Sequence, residues 1–236
     1  MYFDWTYVVL VLPCVLLSLW ASSNVNSTFA RYSRVFSSRG ITGAQAAQWV
    51  LSANGITDVR IDRVSGNLTD HFDPTARTIR LSDNVYGSTS AAAIGVACHE
   101  AGHAVQHSVG YAPIKLRTMI IPVTNFGSKL AMPLILIGLL LSSVSYAFYQ
   151  VIYIGIACFG LSLVFQLVTL PVEFDASSRA LRAISEGNLL THDELSGAKK
   201  TLRAAAMTYV AATAVSLAQL LRLLIIFGGR DRNRKK

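Results

Sequence analysis

Between His99 and His107 the sequence reads HEAGHAVQH, with two of its histidines four residues apart. Positions so spaced lie one turn apart on one face of a helix. His99 and His103 can therefore aim imidazole nitrogens at a single ion, with Glu100 beside it. Zinc suits two imidazoles, and hydrolytic zinc sites keep one position for a water whose pKa falls to about 7, which makes Glu100 the natural general base. An H-E-x-x-H string arises by chance in well under about one chain in a hundred of this length. A metal site therefore outweighs the alternative of two histidines on the polar edge of a buried helix. His107 shares the face but lies two turns on, roughly 12 Å along the axis from His99. That distance suits a supporting or substrate-facing group better than a shared ligand.

Such a site needs a third protein ligand. The stretch LPVEFDASSRALRAI follows a long apolar block, and Pro171 in it can open a helix. Glu173 is the acidic residue that a membrane hairpin would return to the face carrying His99. Asp175 is the near alternative, pointing about 200° round the helix, and a third role for Glu173 is to satisfy the helix dipole.

The elements that must position these groups belong to a membrane protein. The 236 residues are 52% hydrophobic and only 14% charged, and the apolar ones cluster in blocks. The net charge of +8 lies beside those blocks without aromatic interleaving, which points to topology and lipid headgroups and away from nucleic acid. Three cysteines give no C-x-x-C pair, and Cys98 reads as a small core residue.

Phe3, Trp5 and Tyr7–Trp20 form the first block, an uncleaved anchor, since the N-terminus offers only Asp4 where a signal peptide needs positive charge. Arg31, Arg34 and Arg39 follow, placing the N-terminus outside and the next region in the cytoplasm. Residues 22–110 have ordinary soluble composition. Thr42 can cap a short helix that Gly55 ends. Two alternating segments, Asp58–Val64 and Thr78–Ser82, predict a two-stranded ribbon packed on the metal helix, its free edge open to an extended peptide. The turn material between them holds His71, expected to be a solvated loop histidine. The metal helix should start near Ser88 or Ser90 and end near Gly110.

Apolar blocks at 119–149 and 151–170 are long enough for two crossings joined by SSVSYAFYQ. Lys129 interrupts the first and is expected to snorkel or face a polar cavity. Thr191 and Glu194 form a capping box, so a helix begins there, leaves His192 exposed and can run into the last block, 204–227. Its basic tail, Arg230–Lys236, divides the topology. Four crossings would put it outside, whereas an interfacial last block with Arg222 would keep it inside.

HEAGHAVQH, the apolar hairpin, LPVEFDASSRA and the earlier GNLTDHFDPTARTIRLS resemble the YugP family of membrane zinc metallopeptidases over nearly the whole chain. The HtpX proteases, which share the order zinc helix, hairpin and glutamate ligand, are more distantly similar. The resemblance implies that His99, His103 and Glu173 bind zinc with Glu100 catalytic, on a site facing the cytoplasm. The sequence departs from the HtpX-like E-x-x-x-D pattern by carrying Ser177 in place of the aspartate.

The expected molecule is a mainly α, multi-pass membrane protein of about four transmembrane helices, with a small β ribbon on its zinc helix. One metallopeptidase domain would cover 1–236: anchor 1–21, cytoplasmic-facing region 22–118, hairpin 119–171, ligand region 172–204, last helix 205–229 and tail 230–236. It would sit in the cell membrane as a zinc-dependent endopeptidase. Its partners would be the bilayer and a protein or peptide substrate, with room for a regulatory membrane partner and none for nucleic acid. Two other classes compete: an intramembrane protease cutting transmembrane segments, and a scaffold stapled by zinc. A purely structural zinc would have no use for Glu100.

Overall fold

The computed structural model describes residues 4–234. Phe3 of the expected anchor and the final Lys235 and Lys236 of the tail lie outside the described residues. A π-helical turn, Tyr7–Val11, leads into α1 (Leu12–Tyr32). Then come α2 (Gly43–Ala53), β1 (Arg60–Val64), β2 (His71–Asp73), β3 (Thr78–Ser82), α3 (Asp83–Tyr86), α4 (Ala91–Ser108), α5 (Ala112–Leu141), α6 (Tyr146–Glu186) and α7 (His192–Arg234). Helices over Tyr7–Tyr32, Ala112–Leu141, Ala147–Glu186 and His192–Gly228 are long and apolar enough to cross a bilayer, as the multi-pass reading requires.

The chain forms two compact units. The first comprises residues up to Trp20, Leu116–Thr169 and those from Tyr209 on. Within it α5 and α6 run antiparallel, so close that a Cβ at Gly138 would lie 2.9 Å from the Phe148 carbonyl oxygen and one at Gly155 2.9 Å from that of Ala131. Small residues at such crossings are how membrane helices gain contact, because lipid gives apolar side chains no other reason to associate. The α7 segment joins them through polar bonds: Tyr149 donates to the Phe227 carbonyl at 2.8 Å, and the Gln166 amide donates to Ser216 Oγ at 2.8 Å. Asp4 is bonded to the Arg222 guanidinium, which also lies over the Tyr7 ring at 5.5 Å.

The second unit, Ala21–Lys115 with Leu170–Thr208, is built round α4. The Ser90 side chain caps this helix by accepting from the Ala93 N–H, and Gly110 leaves it at a φ of +68°. Its Ala/Gly composition makes it thin enough to be covered on nearly every side. The core around it includes Leu51 and Val50 of α2, Ile79 and Leu81 of β3, Ile184 of α6 and Leu202 of α7. Thr42 and Gln45 form a full capping box on α2, and Gly55 beyond its end has a φ of +69°.

Five sequence expectations are corrected. The ribbon is a three-stranded sheet, ordered β1-β3-β2, with β1 parallel to β3 and β2 antiparallel to it. Parallel neighbours need a crossover. The stretch read as turn supplies it by laying His71–Asp73 along the other edge of β3, where Arg80 bonds Asp73 at 2.8 Å. His71 therefore lies on a strand, although exposed, bonding Thr69 O and Arg80.

The first helix runs eleven residues past Ala21, to Tyr32. Its polar side chains bond back to preceding carbonyls, Asn26 to Ser22 and Ser27 to Asn24, while Phe29 is buried in the second unit's core. The hairpin turn is shorter than expected because Tyr146–Gln150 is already helical in α6. Pro171 opens no helix, since α6 continues through it for 41 residues. A proline removes one N–H, a loss that transmembrane helices tolerate where side chains and neighbours satisfy the freed backbone.

Candidate metal centre

Three ligand atoms converge in the second unit. His99 Nε2 lies 3.2 Å and His103 Nε2 3.5 Å from Glu173 Oε2, and one ligand atom from each of the three residues falls within 4.8 Å of the others. His103 and Glu173 are buried and His99 nearly so. The helix positions explain the histidines, which stack with ring centroids 4.7 Å apart. Glycine explains the glutamate. A Cβ on Gly102 would stand 2.7 Å from the Ala176 carbonyl oxygen, so only its absence lets α6 come close enough to α4 for Glu173 to reach both rings.

Hydrogen bonds behind the trio fix the imidazoles. The Gln106 amide nitrogen donates to the Val172 carbonyl and to Asp175 Oδ2, both at 2.8 Å. Those two acceptors orient the amide, and its oxygen then faces His103 Nδ1 at 3.0 Å. An oxygen there must receive a proton, so His103 carries its hydrogen on Nδ1 and turns the Nε2 lone pair toward Glu173. Ser177 Oγ lies 3.1 Å from Nδ1 of His99 and serves the second ring in the same way. Asp175 is held in turn by Arg179, whose Nε donates to it at 2.6 Å and whose guanidinium lies over the Tyr111 ring.

A lone pair facing a buried carboxylate calls for a cation between them. Burial alone would lower the His103 pKa, but the Glu173 and Glu100 carboxylates outweigh it and hold it above the ordinary histidine value. Two imidazole nitrogens and one carboxylate oxygen are a hydrolytic zinc donor set. With bonds near 2.0 to 2.1 Å, tetrahedral ligands stand about 3.3 Å apart, close to the two separations found here. The residues fit zinc.

The remaining sequence candidates fall around this trio. Glu100 is buried on α4, between His99 and His103 in sequence. Asp175 lies outside the trio and acts on it through Gln106. His107 stands against Phe72 of β2, ring centroids 5.4 Å apart, beside the sheet's edge. Cys98 is fully buried, and burial pushes its thiol pKa up, consistent with a core role. Gln106 is the residue the sequence reading missed. Its signal was present, since it stands three residues after His103 on the same helix face.

Four bilayer-length helices among the described residues, and an H-E-x-x-H helix whose two histidines meet Glu173 of α6, define a membrane protein of the zinc metallopeptidase class. Residues 7–228 match the family described as "Putative neutral zinc metallopeptidase", and the chain belongs to that family. It is 47% identical over 228 residues to "Putative membrane protease YugP" of Bacillus subtilis (strain 168), an alignment covering 96% of this chain and 99% of the relative. The YugP-like resemblance is therefore borne out, and the family's metal is zinc. No solved structure matches the chain.

Proposed function

We propose that this chain is a membrane-bound, zinc-dependent endopeptidase in which His99, His103 and Glu173 hold the metal and Glu100 is the general base. The observation that carries this reading is the approach of Glu173 Oε2 to both histidine Nε2 atoms, from a helix some seventy residues along the chain. Zinc would supply Lewis acidity to polarise a scissile carbonyl and to make water a stronger acid. The Glu100 carboxylate takes the proton of the attacking water and returns it to the leaving amine nitrogen. Gln106 and Ser177 fix the tautomer and the aim of the imidazoles. His107 and Phe72, beside the β2 edge, line the side on which an extended peptide would lie.

All of residues 1–236 serve one metallopeptidase, in the cell membrane with its metal centre on the cytoplasmic face. Support for four crossings comes from the first unit. The α7 segment accompanies α6 from Ser216 to Phe227, and the Asp4–Arg222 bond sets the start of the first helix beside the far part of the last. An even number of crossings between His103 and Glu173 is required, because one crossing would strand the carboxylate beyond a roughly 30 Å hydrocarbon layer. The deciding experiment is metal analysis and cleavage of a casein-type substrate by Glu173→Ala, which should lose zinc and activity together. Asp175→Ala and His107→Ala should retain the metal, and full zinc in the Glu173 variant would move the third ligand elsewhere.

A further inference from the structure

Lys129 lies on α5 within the first unit, and the pairing of α5 with α6 sets its depth. A Cβ at Gly127 would stand 3.4 Å from the Cys158 carbonyl oxygen, and Ser128 Oγ meets Ser162 Oγ at 3.0 Å. Lys129 is therefore level with residues 158–162 of α6. The run 147–170 of that helix has no charged side chain, and residues 158–162 stand near its middle, so the lysine lies close to the bilayer midplane. Its side chain is exposed on the outside of the bundle and does not line the polar cavity that Thr124, Ser128 and Gln166 wall in the same unit. Among the described residues no hydrogen bond or ion pair holds it. Snorkelling falls short. The start of the apolar block at Met119 is ten residues back, roughly 15 Å along the axis, and a four-carbon stem covers less than half of that.

Lys129 also belongs to a seam. Asn125, Lys129, Met132 and Leu136 recur at i, i+4, i+7 and i+11, the spacing that one helix presents to a second helix crossing it at a shallow angle, and all four are exposed. Met132 and Leu136, each about half exposed, offer packing surface, while Asn125 has no polar partner among the described residues. Pro133 lacks the N–H that would bond the Lys129 carbonyl one turn back. An ammonium, an amide and a carbonyl thus gather on one lipid-facing seam at the depth where an uncompensated charge is most costly. The missing group is a carboxylate. Residues 7–20, 119–170 and 204–227 contain no aspartate or glutamate, so neither this chain's apolar blocks nor those of a second copy can supply one at that depth.

We propose that the α5 seam binds a transmembrane helix of a different membrane protein, one that carries an aspartate or glutamate near the middle of its span and pairs it with Lys129. The test places the donor-labelled, full-length protein in phosphatidylcholine vesicles with acceptor-labelled polyleucine transmembrane peptides that have a central glutamate or a central leucine, and energy transfer reads binding. The glutamate peptide should bind about tenfold more tightly than the leucine peptide. Lys129→Arg should keep that preference and Lys129→Leu should remove it. Because the residue is exposed, neither change disturbs a packed face. Moving the glutamate two turns along the peptide should also remove the preference. Equal binding of the two peptides overturns the proposal, as does a preference that survives Lys129→Leu. Two further outcomes overturn it as well. Energy transfer between labelled copies of the protein that is lost in Lys129→Leu would seat a second copy on the seam. Loss of the peptide preference when phosphatidylglycerol replaces part of the phosphatidylcholine would assign the lysine to lipid phosphates.

Discussion

Ser177 Oγ lies 3.1 Å from Nδ1 of His99, at the position where the HtpX-like pattern has an aspartate. A hydroxyl accepts the imidazole proton without adding charge, so it orients the ring while raising its basicity less than a carboxylate would. Ser177→Ala should lower zinc affinity about tenfold with the fold intact, and Ser177→Asp should recover or exceed the original affinity. Competition with a chromophoric chelator measures both. Unchanged affinity in the alanine variant would show that His99 needs no such support.

Gln106 is fully buried and joins His103 to Val172 and Asp175 in one network. Gln106→Leu removes the acceptor for His103 Nδ1 and leaves the Asp175 oxygen with one donor fewer. Zinc affinity should fall some 10- to 100-fold, a larger effect than that of His107→Ala. The same chelator titration compares the two.

Glu100→Gln keeps the shape of the side chain and removes the base. Zinc stoichiometry should stay near one, while the cleavage rate falls by roughly 10²- to 10⁴-fold. A variant that loses its zinc would mean that Glu100 holds the metal, and one that cuts at the original rate would mean that another group takes the proton.

Gly102→Ala introduces a Cβ 2.7 Å from the Ala176 carbonyl oxygen, a backbone atom with little room to yield. The variant should be destabilised by about 1 to 3 kcal/mol and should bind zinc more weakly, because α6 must back away with Glu173. Thermal unfolding in detergent with parallel metal analysis reads both. Gly160→Ala, whose Cβ would meet nothing within 4 Å, is the matched control and should change neither.

A cysteine at Asn233, labelled in intact cells with an impermeant thiol reagent, separates the two topologies. Four crossings predict labelling from outside. Labelling seen only after the membrane is opened would keep the tail in the cytoplasm.

The metal helix was legible because its information is local: a capping serine, a histidine pair at helical spacing and a terminating glycine all act within one turn of their partners. The bilayer-length helices were legible for a similar reason, since hydropathy is a sum over neighbours. Glu173 needed more. Its role depends on α6 lying against α4, and the only local sign of that contact is the missing side chain at Gly102. The strand at His71–Asp73 hid in turn-rich sequence because three residues are too few for an alternating pattern, and its partner β3 supplies most of its bonding. The long reach of α1 was hidden in the same way, by a serine- and asparagine-rich composition that favours loops until Phe29 finds a core.

The Asp4–Arg222 bond joins residues 218 apart in the sequence. Closing so long a loop costs entropy that the helices between must already have offset, so the bond is a late contact: it tightens a bundle that α5, α6 and α7 have assembled and does not start it.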